Sequence, residues 1–266
     1  MELQITTCNV NGIRAAFRKG MGEWLEESNS EIVLLQEVRA NDEIIRQLVP
    51  EGWYVYNLSS ELKGRAGVAI LSREEAAEVR EGMGHEEEIE SHTGRWLEAD
   101  YETEAGKLTV VSAYLHSGQA GTAKMDYKYQ HLAWVTERLE QLSERKLALV
   151  AGDFNIVHTE KDIKNWKSNH NRTAGVLDEE IAYLDRWFGS GWHDVQRELT
   201  GEEAQGPYTW WSQRGQAFDN NAGWRIDYQM VTDQLAQAAA DFEIGRANSY
   251  AERWSDHAPL TVRYKF

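Results

Sequence analysis

Leu147-Ala148-Leu149-Val150-Ala151-Gly152-Asp153-Phe154-Asn155 reads as a buried strand that ends in reactive groups. The apolar run 147–151 has the length of a strand covered on both faces. It stops at a glycine, and a carboxylate and an amide follow at once. On an extended backbone Asp153 and Asn155 share a face, because side chains alternate with a period of two, while Phe154 can point into the core. A buried strand that delivers two such groups to one surface holds them rigidly. A polar turn closing a strand has the same local pattern, so the rest of the chain must decide.

Working outward, other strands end the same way. Leu3 to Asn9 reads as a first strand, followed by Asn9-Val10-Asn11-Gly12, with Asn9 and Asn11 on one face. Glu31 to Glu37 is a short apolar strand that leaves Glu37 at its exit, and Leu108 to Tyr114 leaves Tyr114 at its own. Gly223-Trp224-Arg225-Ile226-Asp227-Tyr228 reads as one strand with Arg225 and Asp227 on one face. Ser255-Asp256-His257-Ala258-Pro259 precedes the last strand, Leu260 to Tyr264. Between them, Arg14 to Glu27, Asn41 to Val49, Tyr127 to Arg145 and Asp178 to Phe188 read as helices. The third carries Leu132, Val135, Leu139 and Leu142 at core spacing. Many strands with few intervening helices predict a two-sheet core with outer helices rather than βαβ alternation. No repeat or linker divides residues 1–266, which predicts one domain.

Composition bounds the function. Hydrophobic residues make up 41% and charged residues 27% of the 266, a globular balance. No apolar stretch approaches the ~20 residues of a membrane span and no secretory signal is present, which reads as a soluble cytoplasmic chain without a membrane partner. The lone cysteine, Cys8, excludes a disulfide framework and a cysteine-based zinc cluster. The net charge of −16, from 44 acids and 28 bases, opposes non-specific attraction to nucleic acid. The charges are uneven, however. Glu74, Glu75, Glu78, Glu81 and Glu86 to Glu88 crowd one region, and Lys161, Lys164, Lys167 and Arg172 another. A nuclease of this charge needs its bases near the site and loses binding steeply with salt. His85 to His92 reads as an exposed loop rather than a metal site.

The strand-end residues form a chemical set. Glu37 and Asp256, with an amide oxygen such as that of Asn9, are hard ligands suited to Mg²⁺ or Mn²⁺. His257 near Asp227 gives an oriented imidazole able to donate to a phosphoryl oxygen. Asp153 can deprotonate a water that Asn155 positions. Together these suit metal-assisted hydrolysis of a phosphate ester. No Ser-His-Asp set or glycine-rich nucleotide cradle competes with them.

Asn9-Val10-Asn11-Gly12, Leu35-Gln36-Glu37, Gly67-Val68-Ala69, Gly152-Asp153-Phe154-Asn155, Trp224-Arg225-Ile226-Asp227 and Ser255-Asp256-His257-Ala258-Pro259 occur in the order seen in the exonuclease III family of apurinic/apyrimidinic endonucleases. The resemblance runs over essentially the whole chain, and the stretch 214–221 is similar to the bacterial enzymes. It implies an α/β fold, the four-layer α/β/β/α sandwich of two mostly antiparallel sheets flanked by helices found in deoxyribonuclease I. It also implies Glu37 as principal ligand of Mg²⁺, with Asp256 and Asn9 near the ion. Asp153 would orient or deprotonate the attacking water beside Asn155; Tyr114 and the Asp227–His257 pair would stabilise the phosphate. Whether Asp153 or His257 is the base stays open. Trp210, Trp224 and Ile226 match positions lining a pocket for a flipped-out abasic sugar, and Asn11 and Arg225 join them as substrate-binding candidates. Two departures stand out: His116-Ser117 where the family often has Pro-Asn or Pro-Gln, and Asn165-Trp166-Lys167 where it often has Asn-Pro-Lys.

The implied activity is a monomeric DNA repair nuclease acting on double-stranded DNA. It cuts 5′ to abasic sites and trims 3′ ends and 3′-blocking groups. The alternative keeps the fold with a small phosphate ester as substrate. A catalytically dead binding module would have lost a carboxylate or the histidine, and none is lost.

Overall fold

The computed structural model describes residues 1–85 and 89–266; of the acidic run, Glu86 to Glu88 lie outside the described residues. From the N-terminus, β1 (Glu2–Asn9) leads through the short helices α1 (Ile13–Arg18) and α2 (Met21–Glu27) to β2 (Ile32–Gln36). Then come α3 (Asp42–Leu48), β3 (Tyr54–Leu58), β4 (Val68–Ser72) and β5 (Glu78–Glu81). The hairpin β6 (Trp96–Thr103) and β7 (Gly106–Tyr114) precedes the long helix α4 (Lys124–Leu142) and the central strand β8 (Leu147–Asp153). Next are α5 (Trp166–Asn169), α6 (Asp178–Phe188), β9 (His193–Asp194) and α7 (Val195–Thr200). The chain closes with β10 (Trp210–Trp211), β11 (Gly223–Trp224), β12 (Asp227–Val231), α8 (Asp233–Ala238), β13 (Ala239–Ile244) and β14 (Leu260–Lys265).

Two six-stranded sheets result, ordered β13-β14-β1-β2-β4-β3 and β5-β6-β7-β8-β12-β9. Each holds one parallel pair, β1 with β2 and β7 with β8, and is otherwise antiparallel. The inner faces meet through Ile5, Leu34, Ile70, Val110, Leu149 and Val262, so β8 is apolar on both sides because both its faces are covered. Helices α4 and α6 cover one outer face through Leu132, Val135, Leu139, Leu184 and Trp187. Helices α1, α2 and α3 cover the other through Ile13, Met21, Leu25 and Ile45. The layers are therefore α/β/β/α.

Two expectations need correction. Arg14 to Glu27 is two helices rather than one, because the chain turns at Gly20 with φ 111°, a left-handed conformation that glycine adopts freely. The segment 223–228 is not one strand; Arg225 and Ile226 lie between β11, which pairs with β10, and β12, which pairs with β8.

Register brings the strand ends to one edge. Tyr114 pairs with Asp153, and Asp153 with Asp227, in one sheet; Asn9 pairs with Gln36 in the other. The two sheets are joined at this edge by Asn9, whose Nδ2 donates to Asp153 Oδ2 at 2.9 Å.

Candidate active site

Three strand exits turn left-handed as they leave the core: Asn11 (φ 47°), Glu37 (φ 49°) and Asn155 (φ 52°). A non-glycine residue held there is strained, and such strain is found where the surroundings fix a functional geometry. The Asn155 amide donates to Asp153 Oδ1 at 2.9 Å, and its side chain donates to the Leu115 carbonyl.

Asp153 is the centre. It is buried, and Asn9 and the Asn155 amide each occupy one of its oxygens. Burial raises its pKa to about 7; Asp227 and Glu37 add to the rise and His257 opposes it. His257 is also buried, its Nδ1 2.8 Å from Asp227 Oδ2 and its Nε2 3.7 Å from Asp153 Oδ2. Burial alone would push this imidazole down, but Asp227 and Asp153 outweigh it and hold the ring protonated. Thr209 donates a further hydrogen bond to Asp227 Oδ2 at 2.6 Å, which fixes the pair. Tyr114 completes this side. Burial and the charges of Glu37 and Asp153 push its phenol well up, so it remains an O–H donor. Beneath it the Arg95 guanidinium lies 4.8 Å from the ring centroid.

These groups open into a pocket of about 690 Å³. Glu37, Tyr114, Asp153, Asn155, Asp256 and His257 line its polar side. Trp210, Trp224 and Ile226 form the apolar side, with the two indoles edge-to-face at 5.4 Å. The sequence candidates are thus gathered at one place, with three exceptions. Arg225 is fully buried and turned away. It is held by Asp162 at 2.7 Å and Asp194 at 2.6 Å, so it is a structural ion pair rather than a substrate contact. Its side chain does not share a face with Asp227 because the strand breaks between them. Asn9 turns its oxygen to the Asn11 amide at 2.9 Å and gives Nδ2 to Glu37 and Asp153. It braces two carboxylates instead of offering an oxygen to an ion. Asn11 flanks the site as that amide donor and is not part of the pocket wall.

Two carboxylate sets compete for a cation. Asp153, Asp227 and His257 place one ligand atom each within 4.8 Å of one another. In that set His257 is already bonded to Asp227 Oδ2, while Asp227 Oδ1 is buried with no partner among the described residues. Glu37 and Asp256 are the other set; both line the pocket, and Glu37 accepts from Asn9 and pairs with Arg39. Asp256 Oδ2 accepts from the Trp210 indole at 3.1 Å, but Oδ1 is buried with no partner among the described residues. An orphaned carboxylate oxygen beside a second carboxylate suits a hard divalent ion.

Sequence reasoning missed Arg39 on the pocket wall, Arg95 beneath Tyr114 and Thr209 behind Asp227, while Arg172 of the basic cluster does line the wall. No short motif marks Arg39 or Arg95, and Thr209 lies within the aromatic stretch Tyr208-Thr209-Trp210-Trp211. It also misread His92, which is buried rather than exposed, its Nδ1 2.8 Å from His116 Nε2. This contact holds His116 in the interior, whereas Ser117, the other half of the departure, is exposed on the pocket wall.

The sequence pattern of the Endonuclease/Exonuclease/phosphatase family matches residues 6–257. The chain belongs to that family. Within it, a Bacillus subtilis protein named exodeoxyribonuclease is 33% identical, the match covering 98% of both chains. Exodeoxyribonuclease III of Haemophilus influenzae is 30% identical over 99% of this chain and all of the relative. Among solved structures, a Neisseria 3′ phosphatase bound to a product DNA hairpin superposes with a TM-score of 0.87 at 26% identity, covering 99% and 100% of the two chains. The family's deoxyribonuclease I-like layering is the one seen here.

Proposed function

We propose that this family member is a Mg²⁺-dependent DNA repair phosphodiesterase that incises double-stranded DNA 5′ to abasic sites and trims 3′ ends, acting as a monomer. The observation that carries the reading is the juxtaposition of buried Asp153 with the Asp227–His257 pair, beside a pocket walled by two tryptophans and an isoleucine. A sugar lacking its base fits that apolar wall, and its extrusion costs little where no stack is broken. A 3′-terminal phosphate reaches the same centre, in keeping with the Neisseria relative named a 3′ phosphatase.

In this reading Glu37 and Asp256 would hold Mg²⁺ or Mn²⁺, which would supply charge neutralisation for the scissile phosphate. The protein's own groups do the rest. Asp153, poised near neutrality, accepts the proton of a water that Asn155 orients. In this reading His257, whose pKa Asp227 and Asp153 raise, serves as the acid rather than the base. It donates to a non-bridging phosphoryl oxygen, as Tyr114 does from the other side. Arg172 on the wall offers a contact to a neighbouring phosphate, while Arg39 beside it is paired with Glu37.

The test is cleavage of a duplex carrying one tetrahydrofuran abasic analogue and of a 3′-phosphorylated duplex. Wild type with Mg²⁺ cuts both; Asp153→Asn, with an unchanged melting temperature, loses at least ~10²-fold in kcat. Release of phosphate from small soluble esters without any cleavage of either duplex would move the substrate to the small-ester class.

A further inference from the structure

Lys128, on α4, and Glu180, on α6, have fully buried side chains, with Nζ 2.5 Å from Oε1 in an ion pair. Such a pair is a poor device for stability, because removing two charges from water costs several kcal/mol and an apolar pair of equal size often does better. Its contacts point elsewhere. Lys128 Nζ donates to the Asn155 carbonyl at 3.0 Å and the Ser117 carbonyl at 3.3 Å. Glu180 Oε2 accepts from the amides of Gly175 at 2.5 Å and Leu177 at 3.1 Å. Gly175 in turn lies against the Asn155 carbonyl, where a Cβ would come within 2.8 Å, and its own carbonyl accepts from the Val157 amide.

We infer that the Lys128–Glu180 pair is a positioning device that pins the strained Asn155 backbone, and through the Asn155 amide the Asp153 carboxylate, while tying down Ser117 on the pocket wall and Gly175 next to it. Asn155 sits at φ 52°, so its peptide groups need external anchors to stay there. Lys128 supplies the anchor for its carbonyl, and Asp153 Oδ1 that for its amide. Release of the first lets the peptide relax and turns the second away from Asp153. The pair touches neither substrate nor ion; it acts through Asn155. The inference rests on the reading of this site as a phosphodiester-hydrolysing one.

The experiment compares wild type, Lys128→Arg and the neutral double variant Lys128→Met/Glu180→Gln. The double variant keeps or raises the melting temperature, loses at least tenfold in kcat on the abasic-analogue duplex and changes KM less than threefold; Lys128→Arg stays within threefold of wild type. Hydrogen exchange of the 153–157 amides rises at least tenfold in the double variant alone. Unchanged exchange there overturns the inference whatever the substrate. So does a kcat loss that follows only a fall in melting temperature. If wild type fails to cut the duplex, the proposed function falls, and the exchange result still decides whether the pair pins Asn155.

Discussion

Arg225 shows how one residue can be legible in a motif and misread in its role. It stands in Trp224-Arg225-Ile226-Asp227 between two pocket residues, yet its guanidinium is shut in with Asp162 and Asp194. Replacing it with methionine leaves two buried carboxylates short of a partner, and urea unfolding is expected to show a loss of about 3–5 kcal/mol. The folded fraction keeps its KM for the abasic-analogue duplex within threefold, whereas a true substrate contact would raise KM. The same cluster sets an acid limit. Burial raises the Asp162 pKa, but Arg225 and Arg197 outweigh it and hold the group at about 2. A depressed carboxylate contributes stability that is present above its unfolded pKa and is lost as pH falls through the folded one. Asp162 therefore contributes about 2 kcal/mol at neutral pH, lost between roughly pH 4 and pH 2. Stability measured along that range should fall in wild type and fall less in Asp162→Asn.

At the scale of elements, the parallel β7–β8 pair is what presents Tyr114 and Asp153 side by side. It can close only because Gly152 has no side chain. At φ 148° its backbone suits glycine, and a Cβ would run into the Ala113 carbonyl of the neighbouring strand. Gly152→Ala is expected to cost about 3 kcal/mol or to prevent soluble expression, read by the melting temperature of the purified protein. Strand and helix positions were largely readable: α6 lies over the residues the pattern marked, and α4 is shifted by only one turn. The short elements β5, β9 and β13 were not, since they are half-exposed edge strands whose apolar alternation is weak. His92 was misread for the opposite reason: a polar sequence context conceals a buried side chain.

For the molecule as a whole, the net charge of −16 and the cluster of Glu37, Asp153, Asp227 and Asp256 at one sheet edge act in the same direction. The folded chain holds carboxylates together against their repulsion, with one oxygen of Asp256 left without a partner among the described residues. A divalent ion bound there stabilises the folded state by mass action. At Mg²⁺ near 100 times its Kd the melting temperature should rise by about 5 °C, with EDTA reversing both this and the activity. Calorimetry without a Mg²⁺-dependent shift would argue against the Glu37–Asp256 site. No described helix is long and apolar enough to cross a membrane.

By itself the sequence determined the two-sheet α/β class, the strand exits that carry the chemistry and the family, because strand period, apolar runs and short ordered motifs are local properties of the chain. Only the tertiary structure decided what each polar side chain faces. Asn9 braces carboxylates, Arg225 is locked in the core, His92 is buried, and Lys128 with Glu180 underlies Asn155. Each of those assignments depends on a partner 20 or more residues away in the chain. Proximity of that kind is set by sheet register and layer packing, which no local pattern encodes.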